Sequence, residues 1–435
     1  MSLTSKILIA MLLGFLVGAG LNVFLAVGPD ETLSASQAWV QSNVINGFLD
    51  AVGQIFVASL KLLVVPMVFV SLVCGAAALG GHARMGVMAG KTLLFYMVTT
   101  AIALTLAITI ALFIQPGAGI QLDFATNYVP PEAPSIKEML IDIFPSNPVV
   151  AMVEENMLQI IVFALLFGIA VSKTPGEAGA SIRSFFEHLN QVIVNLIMIL
   201  MQVAPYGVFC LLAKLFSNMG IGAILDLAKY FFTVLFVLLL HGFVVYGGML
   251  KLVSGLNPIA FFKKQWKVML FAFSTSSSNA TMPVNMRVST QELGVDNKVS
   301  SFAIPLGATI NMDGTSIMQG VATVFIAQAF GVDLGLSGYL MVILTATLAS
   351  LGTAGVPSVG LVTLAMVLQS VGLPVEGIAL IIGVDRLLDM TRTAVNTTGD
   401  SAGALIVAKS EKLLNVDVYN TPSSELVIEE APEKS

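Results

Sequence analysis

The chain has 435 residues, 56% of them apolar and only 11% charged, with a net charge of −6 and a mean hydropathy of +0.91. A water-facing surface needs about 25% charged residues, so a soluble enzyme of ordinary type is excluded, and disordered or collagen-like chains with it. Two cysteines, Cys74 and Cys210, both inside apolar runs, cannot staple a small scaffold, and the acidic balance gives no footprint for nucleic acid. What remains is an all-α polytopic membrane protein.

In chain order, stretches free of Asp, Glu, Lys and Arg run 7–29, 62–83, 92–122, 156–172, 189–213, 230–250, 268–286, 314–332 and 334–375, against the ~20 apolar residues that a crossing helix needs. Their spacing is helical, without the alternating segments of an outer-membrane barrel. The first stretch, led by Lys6, is long for a signal peptide and more spans follow it. The 251–267 loop carries Lys251, Lys263, Lys264 and Lys267 without an acid, and the turn near His82, Arg84 and Lys91 is basic too. Segment 115–148 carries Asp123, Glu132, Glu138 and Asp142 against Lys137 alone. The excess of Lys and Arg on one side predicts cytoplasmic termini, acidic loops outside and the 251–267 loop inside. Residues 411–435 read as a disordered cytoplasmic tail.

Two segments are not plain spans. Residues 268–286 contain Ser274-Thr275-Ser276-Ser277-Ser278-Asn279-Ala280-Thr281 with Pro283 just after, and the middle of 334–375 reads Ala349-Ser350-Leu351-Gly352-Thr353-Ala354-Gly355-Val356-Pro357-Ser358. As one helix the second would measure ~63 Å, twice a bilayer core, so its Gly/Pro centre predicts a hairpin that enters and returns. The first reads likewise, as two half-helices meeting at a polar tip. Broken backbone at that depth survives only where protein buries it or it lines a wet cavity. Each segment precedes an Asp-bearing polar string, Asn311-Met312-Asp313-Gly314-Thr315 and Asp389-Met390-Thr391-Arg392-Thr393. Paired interrupted segments of this kind point to a transporter's binding site. The expected division is a scaffold over 1–250, a core over 251–410 (hairpin 268–292, span 300–330, hairpin 335–372, span 375–408), then the tail.

The last span carries the densest chemistry. Steps of 4, 3, 4 and 4 put Asp385, Asp389, Arg392, Asn396 and Asp400 on one helical face, with Arg386 beside them. Five charges at ~3 kcal/mol each amount to roughly 15 kcal/mol before pairing, which a packing role for one Asp389–Arg392 pair does not explain. Arg392 offers a two-pronged grip on a carboxylate, Asp389 a seat for an ammonium group, Asn396 an amide, and the hairpin tips helix N-termini. A ligand with two carboxylates and one amine fits, namely an acidic amino acid. Asp313 and Asp400, with Asn311, Asn396 and Thr309 near and Gly307 and Gly314 loosening the helix, are hard oxygen donors for an alkali cation. His241, alone on an apolar face, reads as a packing residue.

In these strings the chain resembles the glutamate/aspartate transporter family, the dicarboxylate/amino acid:cation symporters. The resemblance rests on Ser276 to Pro283, Asn311 to Thr315, Gly352 to Pro357 and Asp385 to Asp400, in the family's order, and covers residues 1–410. It implies eight transmembrane helices plus two re-entrant hairpins in inverted repeats, and an elevator-type homotrimer whose spans 3 and 6 move with the transport core; the short loops, without long extracellular insertions, point to a cell (inner) membrane. It implies substrate contacts from Ser277, Ser278, Thr315, Val356 and Gly360, with Asp389 on the amine, Arg392 on the side-chain carboxylate, and Thr393 and Asn396 on the remaining groups. One sodium site would use Gly307, Asn311, Asn396 and Asp400; a second Thr309, Met312, Ser350, Leu351 and Thr353; a third Tyr96, Thr99, Thr100, Asn311 and Asp313. Proton-coupled animal relatives have Glu where this chain has Gln319. Acidic amino acid carriers place a second arginine at Ser276 or Met390, and here Arg386 lies one turn from Met390. The function implied is sodium-coupled symport of aspartate or glutamate, not an enzyme; the alternatives are proton- or sodium-coupled C4-dicarboxylate symport and, remotely, an intramembrane aspartyl protease on Asp385 and Asp400.

Overall fold

The computed structural model describes residues 3–26, 33–78, 83–119, 144–154, 156–219, 222–350 and 359–423. These residues are helical, and the one β contact among them is an isolated antiparallel bridge between Val295 and Leu414. Helix α1 (Leu3–Leu25) is followed by α2 (Ala35–Trp39), which runs through a π-helical stretch Val40–Leu49 into α3 (Asp50–Ala78). Then come α4 (Ala83–Ile114), α5 (Pro148–Val153), α6 (Met157–Lys173), α7 (Gly176–Met201) and α8 (Ala204–Met219). Helix α9 (Gly222–Leu239) continues through a π turn into α10 (Tyr246–Met249) and a second π turn, Leu250–Ser254.

Among the described residues four helical runs are long and apolar enough to cross a membrane, Ser5–Leu25, Ala35–Cys74, Gly90–Ile114 and Leu227–Ser254, and a fifth arises if α7 and α8, bent by 49°, count as one. The 189–213 span expected from sequence is therefore broken, at Gln202–Val203, just ahead of Pro205. Ala35–Cys74 has 40 residues, ~60 Å of helix, so it tilts or extends past a bilayer. Helix α1 lies along α8 through Gly14 and Gly18, where a Cβ would come within 2.8 Å of the Phe209 carbonyl oxygen and 2.6 Å of that of Ala213. Small residues four apart let backbones meet where apolar burial gives helices no drive to associate. Leu12 and Leu16 of α1, Phe48 of the π-helical stretch, Ile55 of α3 and Phe185 of α7 are exposed, as a hydrocarbon solvent permits.

The second half is built of pairs. Helices α11 (Pro258–Thr275) and α12 (Ser278–Gln291) meet at Ser276–Ser277, and α13 (Asn297–Ile310) and α14 (Asp313–Ala329) at Asn311–Met312. Helices α15 (Gly335–Ser350) and α16 (Val359–Ser370) flank residues 351–358, and α17 (Ile378–Ser410) closes the core. All residues of α14 but Gln328 are buried, as are 26 of the 33 in α17. Helix α17 packs against α4, α9, α11, α13 and α14, with α8 touching its flank.

Two expectations are corrected. The first arm begins at Pro258, capped by the Asn257 side chain on the Ile259 N–H at 3.0 Å, so Lys263, Lys264 and Lys267 belong to a helix and not to a loop. Proline at the first helical position and an Asx cap start a helix whatever the charge of the first turns. The 411–435 tail, read as disordered, has an ordered beginning: α18 (Val416–Asn420) folds back on the base of α11 and α12. Lys264 Nζ donates to the carbonyls of Glu292, Val418 and Tyr419 at 2.7, 2.8 and 2.9 Å, and the buried Tyr419 hydroxyl, pushed up to about 12 by burial, donates to the Asn257 carbonyl at 2.8 Å. Glu292 accepts from Lys267 at 2.9 Å and from Ser423 at 2.6 Å, and Lys91 pairs with Glu411. Ammonium-to-carbonyl bonds satisfy the last carbonyls of two helices at once, an ordering force that composition does not reveal.

Candidate functional site

The polar face of α17 points inward over its whole length: Asp385, Arg386, Asp389, Arg392, Asn396 and Asp400 are all buried. Its first half is an alternating ladder. Arg392 Nη1 donates to Asp385 Oδ1 at 2.7 Å and Nη2 to Asp389 Oδ1 at 2.9 Å, while Arg386 Nη1 reaches Asp389 Oδ2 at 3.2 Å. Two carboxylates and two guanidinium groups neutralise one another, which is how charge survives at this depth. Asp385 and Asp400 stand 15 residues apart on one helix, ~22 Å, too far for a shared-proton dyad.

The ladder meets α14 and α16 at Arg392. A Cβ on Gly360 would lie 3.5 Å from Arg392 Cζ, 3.2 Å from Thr315 Cγ2 and 3.1 Å from Met318 Cε. Gly314 sits so close to the Arg392 backbone that a Cβ there would come within 2.6 Å of its carbonyl oxygen. Thr315, Gly360, Asp389 and Arg392 thus share one locality. Asn396 Oδ1 accepts from the Gly314 N–H at 2.7 Å and its Nδ2 donates to Met312 Sδ at 3.4 Å. The Thr393 hydroxyl turns back to the Asp389 carbonyl at 2.8 Å.

A second group of oxygens gathers where α13 stops and α14 begins. Asn311 and Met312 leave helical geometry there, two turns after Pro305. Asn311 Nδ2 donates both to Asp400 Oδ1 and to the Asn396 carbonyl, each at 2.9 Å, and its own Oδ1 is buried with no hydrogen-bond partner. No Lys, Arg or His pairs with Asp400 among the described residues; a Cβ on Gly307 would press on that carboxylate and come within 2.6 Å of the Tyr96 hydroxyl. A buried carboxylate without a cationic partner, beside an orphaned amide oxygen, has the donor set of an alkali-ion site.

Asp313 is satisfied by protein: Thr100 Oγ1 donates to Oδ1 at 2.5 Å, Tyr246 Oη to Oδ2 at 2.8 Å, and His241 Nε2 lies 3.0 Å from Oδ2. His241, assigned to packing by its neighbours in sequence, is therefore part of a polar cluster, its ring edge-on to Tyr246 at 4.7 Å. A lone histidine in an apolar 230–250 run was the signal available. Tyr96 donates to the Ala303 carbonyl at 3.1 Å, and the hydroxyls of Thr99, Thr309 and Ser350 bond within their own helices, to Tyr96, Leu306 and Thr347.

At the first tip Ser276 takes a left-handed conformation, φ 50°, and Ser277 caps α12 by accepting from the Ala280 N–H at 3.2 Å; Ser278 opens that helix, buried. Leu351, Thr353 and Val356 lie outside the described residues. Sequence reading missed a polar seam behind the tip. Asn285 accepts from Ser401 at 2.5 Å and donates to the Thr397 carbonyl at 3.2 Å, where Gln265 also donates at 3.3 Å, tying both arms to α17. Gln265 is the one amide side chain of α11 and Asn285 is one of three in α12, with Asn279 and Gln291, and nothing in their spacing marks Gln265 and Asn285 as partners.

The sequence profile described as the sodium:dicarboxylate symporter family matches residues 3–410. A proton/glutamate-aspartate symporter of Escherichia coli (strain K12) is 34% identical over 421 residues, 94% of this chain and 93% of that protein. A proton/sodium-glutamate symport protein of Geobacillus stearothermophilus is 34% identical over 379 residues, 85% of this chain and 89% of its own. An excitatory amino acid transporter of Caenorhabditis elegans is 34% identical over 405 residues, 82% of this chain and 80% of its own.

Proposed function

The chain belongs to the sodium:dicarboxylate symporter family, and from that premise we propose that it is a secondary active symporter that takes up aspartate or glutamate together with sodium. The observation that carries this reading is the juxtaposition of the Arg386–Asp389–Arg392–Asp385 ladder with the Asp400–Asn311 oxygens on a single helix. An acidic amino acid brings two carboxylates and one ammonium group. Its side-chain carboxylate displaces an aspartate from Arg392, and its ammonium takes Asp389 in exchange. Thr393 and Asn396 hold the remaining groups, and Ser277, Ser278, Thr315, Val356 and Gly360 close around the ligand. A C4-dicarboxylate lacks the partner for Asp389, which favours the amino acid.

Sodium takes the oxygens of Gly307, Asn311, Asn396 and Asp400, with Tyr96, Thr99, Thr100 and Asp313 as one further site and Thr309, Met312, Ser350, Leu351 and Thr353 as another. Coupling runs through side chains in contact: Asn311 touches both Asp400 and the Asn396 carbonyl, and Asn396 holds the Gly314 N–H in the first turn of α14 beside Arg392. A cation that draws in Asn311 Oδ1 fixes Asn396, so sodium favours substrate and substrate favours sodium by the same factor.

In the membrane the chain has eight crossings and two re-entrant hairpins, α11/α12 and α15/α16, and cytoplasmic termini in a cell (inner) membrane. Residues 1–250 form a scaffold that trimerises, apart from α4 and α9–α10, which travel with the 251–410 core as an elevator; the packing of α4 on α14 and of α9 on α17 supports that division. The test is uptake of labelled aspartate and glutamate by proteoliposomes under an imposed sodium gradient, a proton gradient or none. Accumulation under the sodium gradient is expected, and uptake indifferent to both gradients would overturn the reading.

A further inference from the structure

The ladder contains one more charge than the substrate can use. Arg392 and Asp389 have partners in an acidic amino acid, and Asp385 backs Arg392, but Arg386 has no such assignment. It is nonetheless buried, 5% exposed, and with Asp385 it lines a cavity walled by Ile7 of α1, Phe56 of α3, Val208 of α8 and Leu361 of α16. Water competes weakly for a guanidinium group in such surroundings, and a charge kept there is expensive without a role.

Its contact is specific. The two oxygens of Asp389 are divided between two cations, Oδ1 to Arg392 at 2.9 Å and Oδ2 to Arg386 at 3.2 Å. Left with one guanidinium neighbour, a carboxylate turns both oxygens onto it, because the two-pronged geometry is the strongest available. For Asp389 that rotation would aim both oxygens at Arg392, away from an incoming ammonium group, and would occupy the fork that a substrate carboxylate needs.

We infer that Arg386 is a positioning residue: by holding Asp389 Oδ2 it keeps Asp389 bridging and single-pronged on Arg392, so that both remain exchangeable, and it thereby sets the preference for amino acids over amine-free dicarboxylates. The inference deepens the proposed function and rests on it. Aspartate uses both seats, succinate only the guanidinium one, so losing Arg386 must hurt aspartate more.

The test measures the KM of labelled aspartate uptake and the inhibition constant of succinate against it, in proteoliposomes, for the wild type, Arg386→Gln and Arg386→Lys. In Arg386→Gln the preference for aspartate over succinate should fall about tenfold, the scale of one charge-assisted hydrogen bond, with the sodium dependence unchanged. Arg386→Lys keeps a charged donor and should retain the preference within about threefold, which also keeps the test open if the glutamine variant does not fold. Equal weakening of both ligands, an unchanged preference in Arg386→Gln, or a lysine variant as indiscriminate as the glutamine one overturns the inference. Wild-type vesicles that accumulate no aspartate would instead overturn the function on which it rests.

Discussion

Replacing Asp400 by Asn removes one charge and almost no volume, and the structure sets opposite consequences for the empty and the loaded protein. Asp400 is 1% exposed, receives one hydrogen bond from Asn311 at 2.9 Å and has no cationic partner among the described residues. A sodium ion at ~2.4 Å is attracted to that carboxylate by ~7 kcal/mol gross at an effective dielectric of 20, most of it offset by dehydration of the ion. The net loss on substitution falls near the ~1.5–3 kcal/mol of a charge-assisted contact, that is, roughly a 10- to 100-fold higher sodium concentration for half-maximal uptake. Aspartate affinity at fixed sodium weakens with it, since the two ligands are linked. Without sodium the sign reverses: a buried charge lacking a cation is destabilising, so Asp400→Asn should melt higher than wild type in sodium-free buffer and gain less on sodium addition. Proteoliposome uptake titrated with sodium, with melting curves of the detergent-solubilised protein in sodium and in choline, measures both. A variant with wild-type sodium dependence, or one whose melting temperature still rises with sodium as the wild type's does, refutes the assignment of Asp400 to the cation.

Three further outcomes are expected. Arg392→Cys leaves Asp385 and Asp389 without their shared cation; it should abolish acidic amino acid uptake, spare any neutral amino acid transport and destabilise by about 3–5 kcal/mol, read by competition assays and denaturation. Gly314→Val would press a branched side chain on the Arg392 backbone; a loss of about 1–3 kcal/mol in stability should accompany lost substrate and sodium binding, seen by calorimetry, whereas Gly20→Ala, which meets nothing within 4 Å, serves as the control. Lys264→Met strips the carbonyls of Glu292, Val418 and Tyr419 of one donor. The 413–423 segment should then become cleavable by protease at concentrations that leave the wild-type chain intact, with melting lowered by an amount on the order of 2 kcal/mol.

Much of this protein is legible in its sequence because the bilayer simplifies the problem. Hydrocarbon forbids unpaired backbone and unpaired charge, so a scarcity of charge announces helices, and each polar string inside an apolar run announces a place where helices break or face inward. The period of Asp385, Asp389, Arg392, Asn396 and Asp400 placed them on one face, and the serines at 274–278 marked the turn between α11 and α12. Lengths were less legible. The start of α11 at Pro258 and the bend between α7 and α8 depend on caps and packing, not on hydropathy.

Only the tertiary structure decided the partners. Spacing along α17 suggested Asp389 for Arg392, but Asp385, seven residues away, holds the other arm, and the second oxygen of Asp389 goes to Arg386. His241 and Tyr246 joined Asp313 from 72 and 67 residues away, and the tail joined Lys264 from more than 150. Periodicity says which side of a helix a residue occupies. Which donor meets which acceptor across helices depends on ångström-scale approaches such as Gly314 against the backbone of Arg392, and these arise only when the whole core is packed.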